Sequence, residues 1–268
     1  MTARTSYADG AFCWVDLMAH DIDVSREFYC QLFDWTLQRQ DTQGGPAYYI
    51  FKHASGQSIA GFGAMPEEIK QQDVPPFWKS YVNVDDITTA CEGVEQLGGT
   101  ITMPIMPVMQ YGTMAGIADP AGANVMLWQK GEHFGAELVN DVGAFCWNEL
   151  ATRDIEGAQK FYGELFGWQF ERSEGSPSTY FNIKNAVAGG ESHLNGGMIE
   201  MTEQWGDAPP HWMVYFSVAD ADAAIARIIE LGGSMCVQPF DVEIGRIAIA
   251  ADPEGGTFSI IQMNVPPD

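Results

Sequence analysis

Apolar and polar residues alternate with a period of two over residues 12–18, the pattern of a half-buried strand. The period then lengthens. Val24, Phe28 and Leu32 stand four apart, behind Asp21 and Asp23, either of which suits a helix N-cap. Period-two stretches return at 48–52 and 59–64, split by the turn-rich SGQS. Pro75-Pro76 breaks the pattern, and a second round begins with a strand at 78–84. A helix follows, with Ile87, Ala90, Cys91, Val94 and Leu97 on one face and Gly98-Gly99 at its end. Asp119-Pro120 and Gly122 make a turn before a last strand at 124–129. Each round reads βαβββ.

The whole pattern then recurs. GAFCWVDLMAHDIDVSREFYCQLFDWTLQ at 10–38 matches GAFCWNELATRDIEGAQKFYGELFGWQFE at 143–171, with 13 of 29 residues identical. PPFWKSYVNVDD at 75–86 matches PPHWMVYFSVAD at 209–220, and ADPAGANVMLWQ at 118–129 matches ADPEGGTFSIIQ at 251–262. Motifs in one order at a nearly constant offset mark a tandem duplication. The expected domains are 8–130 and 142–264, joined by an acidic connector at 131–141, in an α+β fold with mixed sheets.

FYCQLFDW at 28–35 and FYGELFGW at 161–168, LGG at 97–99 and 231–233, and DPAG at 119–122 with DPEG at 252–255 together resemble the vicinal oxygen chelate superfamily. That group includes glyoxalases, bleomycin-resistance proteins and extradiol dioxygenases. The tandem copies with FCW openings are similar to two-domain glyoxalase-like proteins. The resemblance implies four βαβββ units paired into two tandem half-open barrel domains. It also implies divalent-metal ligands on the first strand and last strand of the units. In this chain those positions fall on Trp14, Lys79 and Met126 in the first copy, and on Trp147, Met213 and Ser259 in the second. Indole offers no lone pair, and a thioether is a poor ligand for hard divalent ions. No cofactor is therefore expected, unless a metal sits elsewhere, as at Glu191, His193 and Glu200.

With the family register, alternation turns Trp14, Asp16, Met18, Lys79, Tyr81, Asn83, Asn124, Met126 and Trp128 into the first barrel. In the second barrel the set is Trp147, Glu149, His211, Met213, Tyr215, Ser217, Thr257, Ser259 and Ile261. Ring-rich walls with a few polar groups suit a small-molecule pocket. Core packing is the competing role for Trp14 and Trp147, and the expected one for Phe28, Tyr29, Trp35, Phe161, Tyr162 and Trp168. Asp16 would be an isolated buried carboxylate unless Lys79 on the facing strand answers it, and Glu149 has His211 as its nearest candidate partner. Each pair reads as a structural contact or as a general acid/base couple. His20, His53 and His133 fall at a strand end, a hairpin and the connector.

Charge narrows the partners. The 268 residues hold 36 acidic against 13 basic side chains, a net −23 divided as −10 over 1–139 and −13 over 140–268. Nucleic acid and anionic membrane are unsuited to such a surface. Five scattered cysteines, the lack of a signal-peptide core and the lack of a spanning apolar run fit a cytoplasmic protein. A fused pair of copies makes a pseudo-dimer, so a monomer or a homodimer is expected. The sequence points first to a small-molecule-binding protein of the glyoxalase/bleomycin-resistance type working without the family metal. Two alternatives stay open: a lyase or isomerase using Asp16/Lys79, Glu149/His211 or a displaced metal, and a protein that sequesters a cationic compound.

Overall fold

The computed structural model describes residues 2–174, 178–186 and 192–264. The first unit runs β1 (Phe12–Ala19), α1 (Ile22–Phe33), β2 (Thr36–Gln40), β3 (Tyr48–Lys52) and β4 (Ser58–Ala64). The second runs β5 (Phe77–Asn83), α2 (Ile87–Gln96), β6 (Thr100–Val108), β7 (Gly112–Ala118) and β8 (Asn124–Lys130). The third is β9 (Phe145–Thr152), α3 (Ile155–Phe166), β10 (Gln169–Arg172), β11 (Tyr180–Ala186) and β12 (Ser192–Glu200). The fourth is β13 (His211–Ser217), α4 (Ala221–Glu230), β14 (Ser234–Val242), β15 (Gly245–Ala251) and β16 (Thr257–Met263). Four βαβββ units are thus present.

An aspartate starts each of the four long helices, α1–α4. Asp21, Asp86, Asp154 and Asp220 each accept from backbone N–H groups of the first turn, satisfying donors a helix start leaves free. Asp21, rather than Asp23, is the cap of α1.

In each half the first strand pairs antiparallel with the opening strand of the next unit: β1 with β5, and β9 with β13. The last strand of each unit returns parallel, β4 on β1 and β8 on β5, with the same pattern in the second half. A parallel contact between β16 and β5 joins the halves into one sheet of 16 strands. Both first strands carry an irregularity that alternation did not foretell. The register slips between Phe12 and Trp14, and again between Phe145 and Trp147. Cys13 and Cys146 sit at these bulges, their thiols directed at the carbonyls of Tyr81 and Tyr215.

The helices cross between the halves. Phe28 and Tyr29 of α1 share one core with Phe216, Ile225, Ile228, Phe258 and Ile260 of the fourth unit. Phe161 and Tyr162 of α3 share the other with Val82, Val94, Ile117 and Leu127 of the second. A Cβ on Gly99 would come within 2.7 Å of Phe161, and one on Gly233 within 3.0 Å of Phe28. The Leu-Gly-Gly and Phe-Tyr motifs are therefore two sides of one contact. Trp35 and Trp168 complete the exchange, their indole N–H groups donating to the carbonyls of Gly143 and Gly10. These aromatics are core, as expected, but a core shared by both copies. Among the described residues no helix is long and apolar enough to cross a membrane.

Candidate binding sites in the two barrels

The β1–β5 register sets Trp14 opposite Tyr81 and Asp16 opposite Lys79. Asp16 is buried among rings. Its Oδ2 accepts a 2.8 Å hydrogen bond from the Tyr81 hydroxyl, and the Lys79 ammonium stands 3.1 Å from Oδ1 as an ion pair outside hydrogen-bond angles. The same ammonium lies 5.5 Å from the centre of the Tyr81 ring. Tyr48 of β3 brings a second hydroxyl to Asp16, and the Trp14 indole donates to that hydroxyl over 3.3 Å. Gly61 on β4 makes the room: any Cβ there would lie 1.9 Å from the Tyr48 oxygen.

The second barrel repeats this plan with a longer carboxylate. Glu149 Oε1 accepts from Tyr215 at 2.8 Å, Tyr180 of β11 supplies the second hydroxyl, and Trp147 donates to Tyr180 over 3.0 Å. Gly197 leaves the slot for Tyr180, again with 1.9 Å to a would-be Cβ. Burial lifts the Glu149 carboxyl above the usual carboxylate range, and hydrogen bonds from Tyr215 and Tyr180 partly offset it. All four tyrosines are pushed upward by burial first and by their carboxylate neighbours second, so they remain protonated donors.

The barrels differ where it matters chemically. Met213 faces Glu149 where Lys79 faces Asp16, and Ser259 stands beside Tyr215 where Met126 stands beside Tyr81. The first barrel is the more closed. Trp14, Tyr81, Met126 and Trp128 are buried, whereas Trp147, Glu149 and Met213 are half-buried. Connector residues shut it: the Ala136 N–H bonds the Cys13 carbonyl, and Trp128 donates to the His133 carbonyl. The His133 ring stands edge-on to Trp14 with centroids 4.5 Å apart. Its Nε2 is buried without a partner, and burial lowers the ring's pKa to about 4.

Several expected placements change. Glu149 and His211 do not pair: Met213 is the cross-strand neighbour of Glu149, and His211 sits two residues along, its Nδ1 against the Pro209 carbonyl. The Asn83 amide donates to the Tyr7 and Ala8 carbonyls, so it anchors the N-terminal segment rather than lining an open wall. Glu191 lies outside the described residues, and among those described no three His, Cys, Asp or Glu side chains stand close enough to share an ion. The side chains at the family's ligand positions do not fit a divalent ion either. One indole at these positions donates to Tyr48 and the other to Tyr180, Lys79 is a cation, and Met126, Met213 and Ser259 offer thioethers and a hydroxyl. Tyr48, Tyr180 and His133 are new members of the sites. The first two have a sequence signal, because AYYIF at 47–51 aligns with TYFNI at 179–183. The outer surface is also creased where the halves meet, by one cleft beside Leu97, Lys160 and Glu164 and another beside Phe33, His53 and Arg227.

Similarity to known proteins follows this duplicated plan. Residues 12–127 match the family model of the glyoxalase/bleomycin resistance protein/dioxygenase superfamily, and residues 146–261 match that of a glyoxalase-like domain. A candidate glyoxylase of Mycobacterium tuberculosis, CFP32, is 34% identical over 263 residues, covering 98% of each chain. The anthracycline biosynthesis protein DnrV of Streptomyces peucetius is 32% identical over 271 residues, 97% of this chain and 95% of that one. The Mn(II)-bound glyoxalase of Novosphingobium aromaticivorans superposes with a TM-score of 0.63 at 13% identity, over 97% of this chain and 86% of the other. The 2,3-dioxygenase LapB of Pseudomonas sp. KL28 does so with 0.62 at 15% identity, over 98% and 96%. At such identities the two structures speak for the fold alone.

Proposed function

The chain belongs to the glyoxalase/bleomycin resistance protein/dioxygenase superfamily, and on that footing we propose that it binds a small oxygenated organic molecule in ring-lined barrels, without the divalent ion of the family's enzymes. The observation that carries this reading is the repeated core of each barrel. A carboxylate bonded by one tyrosine hydroxyl, with a second tyrosine beside it whose hydroxyl accepts from an indole, occurs at Asp16 and again at Glu149. Hydroxyls, a carboxylate and ring faces recognise carbonyl, phenol and aromatic groups. Kinship with a protein of anthracycline biosynthesis favours an aromatic ligand of that oxygenated kind. A cytoplasmic monomer fits a fused pseudo-dimer, and the acid excess argues against nucleic acid or membrane as partners.

Native mass spectrometry of the untreated protein tests the proposal. An organic mass retained without a divalent metal supports it, and a stoichiometric, tightly held metal ion removes it.

A second reading, a lyase or isomerase, is favoured by the placement of Glu149, a carboxyl that burial lifts above its ordinary range and that the Tyr215 hydroxyl orients at 2.8 Å, as a group able to exchange a proton with a substrate. It requires Glu149→Gln to abolish turnover of a carbonyl substrate, and unchanged turnover would end it.

A further inference from the structure

The two barrels carry an internal comparison. In the first, the Lys79 ammonium lies 3.1 Å from the Asp16 carboxylate and 5.5 Å from the centre of the Tyr81 ring. A cation held between a carboxylate and an aromatic face gains charge attraction and attraction to the ring quadrupole together. The second barrel keeps the carboxylate, both tyrosines and the tryptophan, but replaces that lysine by Met213. Among the described residues no lysine or arginine pairs with Glu149. One wall residue is smaller there as well. Ser259 stands where the first barrel has Met126, and its buried hydroxyl, set against that of Tyr215, makes no hydrogen bond of good geometry.

We infer that the second barrel is a site for an organic ammonium ion, whose nitrogen takes the place beside Glu149 and Tyr215 that Lys79 takes beside Asp16 and Tyr81. Trp147 and Tyr180, both half-buried, give the ligand's carbon skeleton its ring contacts, and the Ser259 hydroxyl accepts an N–H. An ammonium also relieves the cost of a half-buried carboxylate held without a countercharge. The net charge of −23 draws cations toward the molecule as a whole. The first barrel, already supplied with its own cation and closed by His133, takes no such ligand. This inference rests on the barrels being binding sites and adds the charge of the ligand.

The test is calorimetric titration of the full chain at neutral pH with benzylammonium chloride, with benzyl alcohol as the neutral probe of similar shape. One benzylammonium per chain is expected, with benzyl alcohol weaker by about tenfold or more. Met213→Lys should expel benzylammonium by supplying the ammonium from within. Glu149→Gln, which keeps shape and hydrogen bonds, should weaken benzylammonium and leave benzyl alcohol nearly unchanged. Equal affinity for the two probes, or benzylammonium binding untouched by either substitution, overturns the inference. If both probes bind equally and Trp147→Phe weakens both, the barrel remains a binding site and only the ammonium preference falls.

Discussion

The Tyr29 hydroxyl of α1 donates to the Asp252 carboxylate of the other half over 3.0 Å, and it accepts from the Trp78 indole over 3.1 Å. The relationship repeats: Tyr162 donates to Asp119 over 3.2 Å and accepts from Trp212 over 3.0 Å. Each Asp-Pro-x-Gly turn is thus held by the opposite copy. Tyr29→Phe would leave a buried indole N–H without its acceptor and Asp252 with one donor fewer. A loss of about 1–3 kcal/mol in urea unfolding is expected. A variant as stable as the parent would mean that the Tyr29 hydroxyl adds nothing.

The crossed helices make each half dependent on its neighbour. Residues 1–141 alone would expose the Phe28, Tyr29 and Trp35 surface that Phe216 and Phe258 cover in the intact chain. That segment is expected to self-associate or to lose cooperative unfolding, and to unfold cooperatively as a one-to-one complex when mixed with 142–268. Size-exclusion chromatography and calorimetry of the two segments, separate and mixed, provide the check. A well-folded monomer of 1–141 would contradict this dependence.

Removing the charge of Asp16 strands a cation. Asp16→Asn leaves Lys79, 18% exposed at its side chain, among rings without a countercharge. We expect a loss of about 2–4 kcal/mol, in the lower part of that range because the ammonium keeps some water. Adding Lys79→Met should restore most of it, because the double variant removes the ion pair as a unit. Chemical denaturation of the two variants decides, and no recovery in the double variant would mean that Asp16 acts through Tyr48 and Tyr81 alone.

His133 predicts a pH dependence with a definite sign. Its folded pKa of about 4 lies below the ordinary histidine value of 6.5, because burial disfavours the imidazolium. The unfolded chain therefore takes up this proton first as pH falls. Stability from the neutral ring is complete above 6.5 and is lost between 6.5 and about 4, to a total of about 3 kcal/mol. His133→Phe keeps a ring against Trp14 and removes the titration. The difference in unfolding free energy between parent and variant should then change across that window. A pH-independent difference would show that the ring titrates normally.

The sequence by itself determined the duplication, the α+β class and the four βαβββ units. These rest on local periodicities and on capping and turn residues such as Asp21, Asp86 and Gly98. It also placed Asp16 opposite Lys79, because strand alternation and a family register suffice for two neighbouring strands. It did not show that Tyr48 and Tyr180 close the carboxylate sites. Those residues arrive from a hairpin two strands away, through slots that exist only because Gly61 and Gly197 lack side chains. It paired Glu149 with His211, whereas the strand pairing sets Met213 opposite the glutamate. It assigned Phe28, Tyr29 and Trp35 to a core without saying whose. Tertiary structure alone decided that each copy's aromatic motif packs on the other's glycines and aspartate turn. Such contacts between residues 43 to 223 positions apart leave no periodic trace, since burial depends on which surface arrives and not on the local pattern.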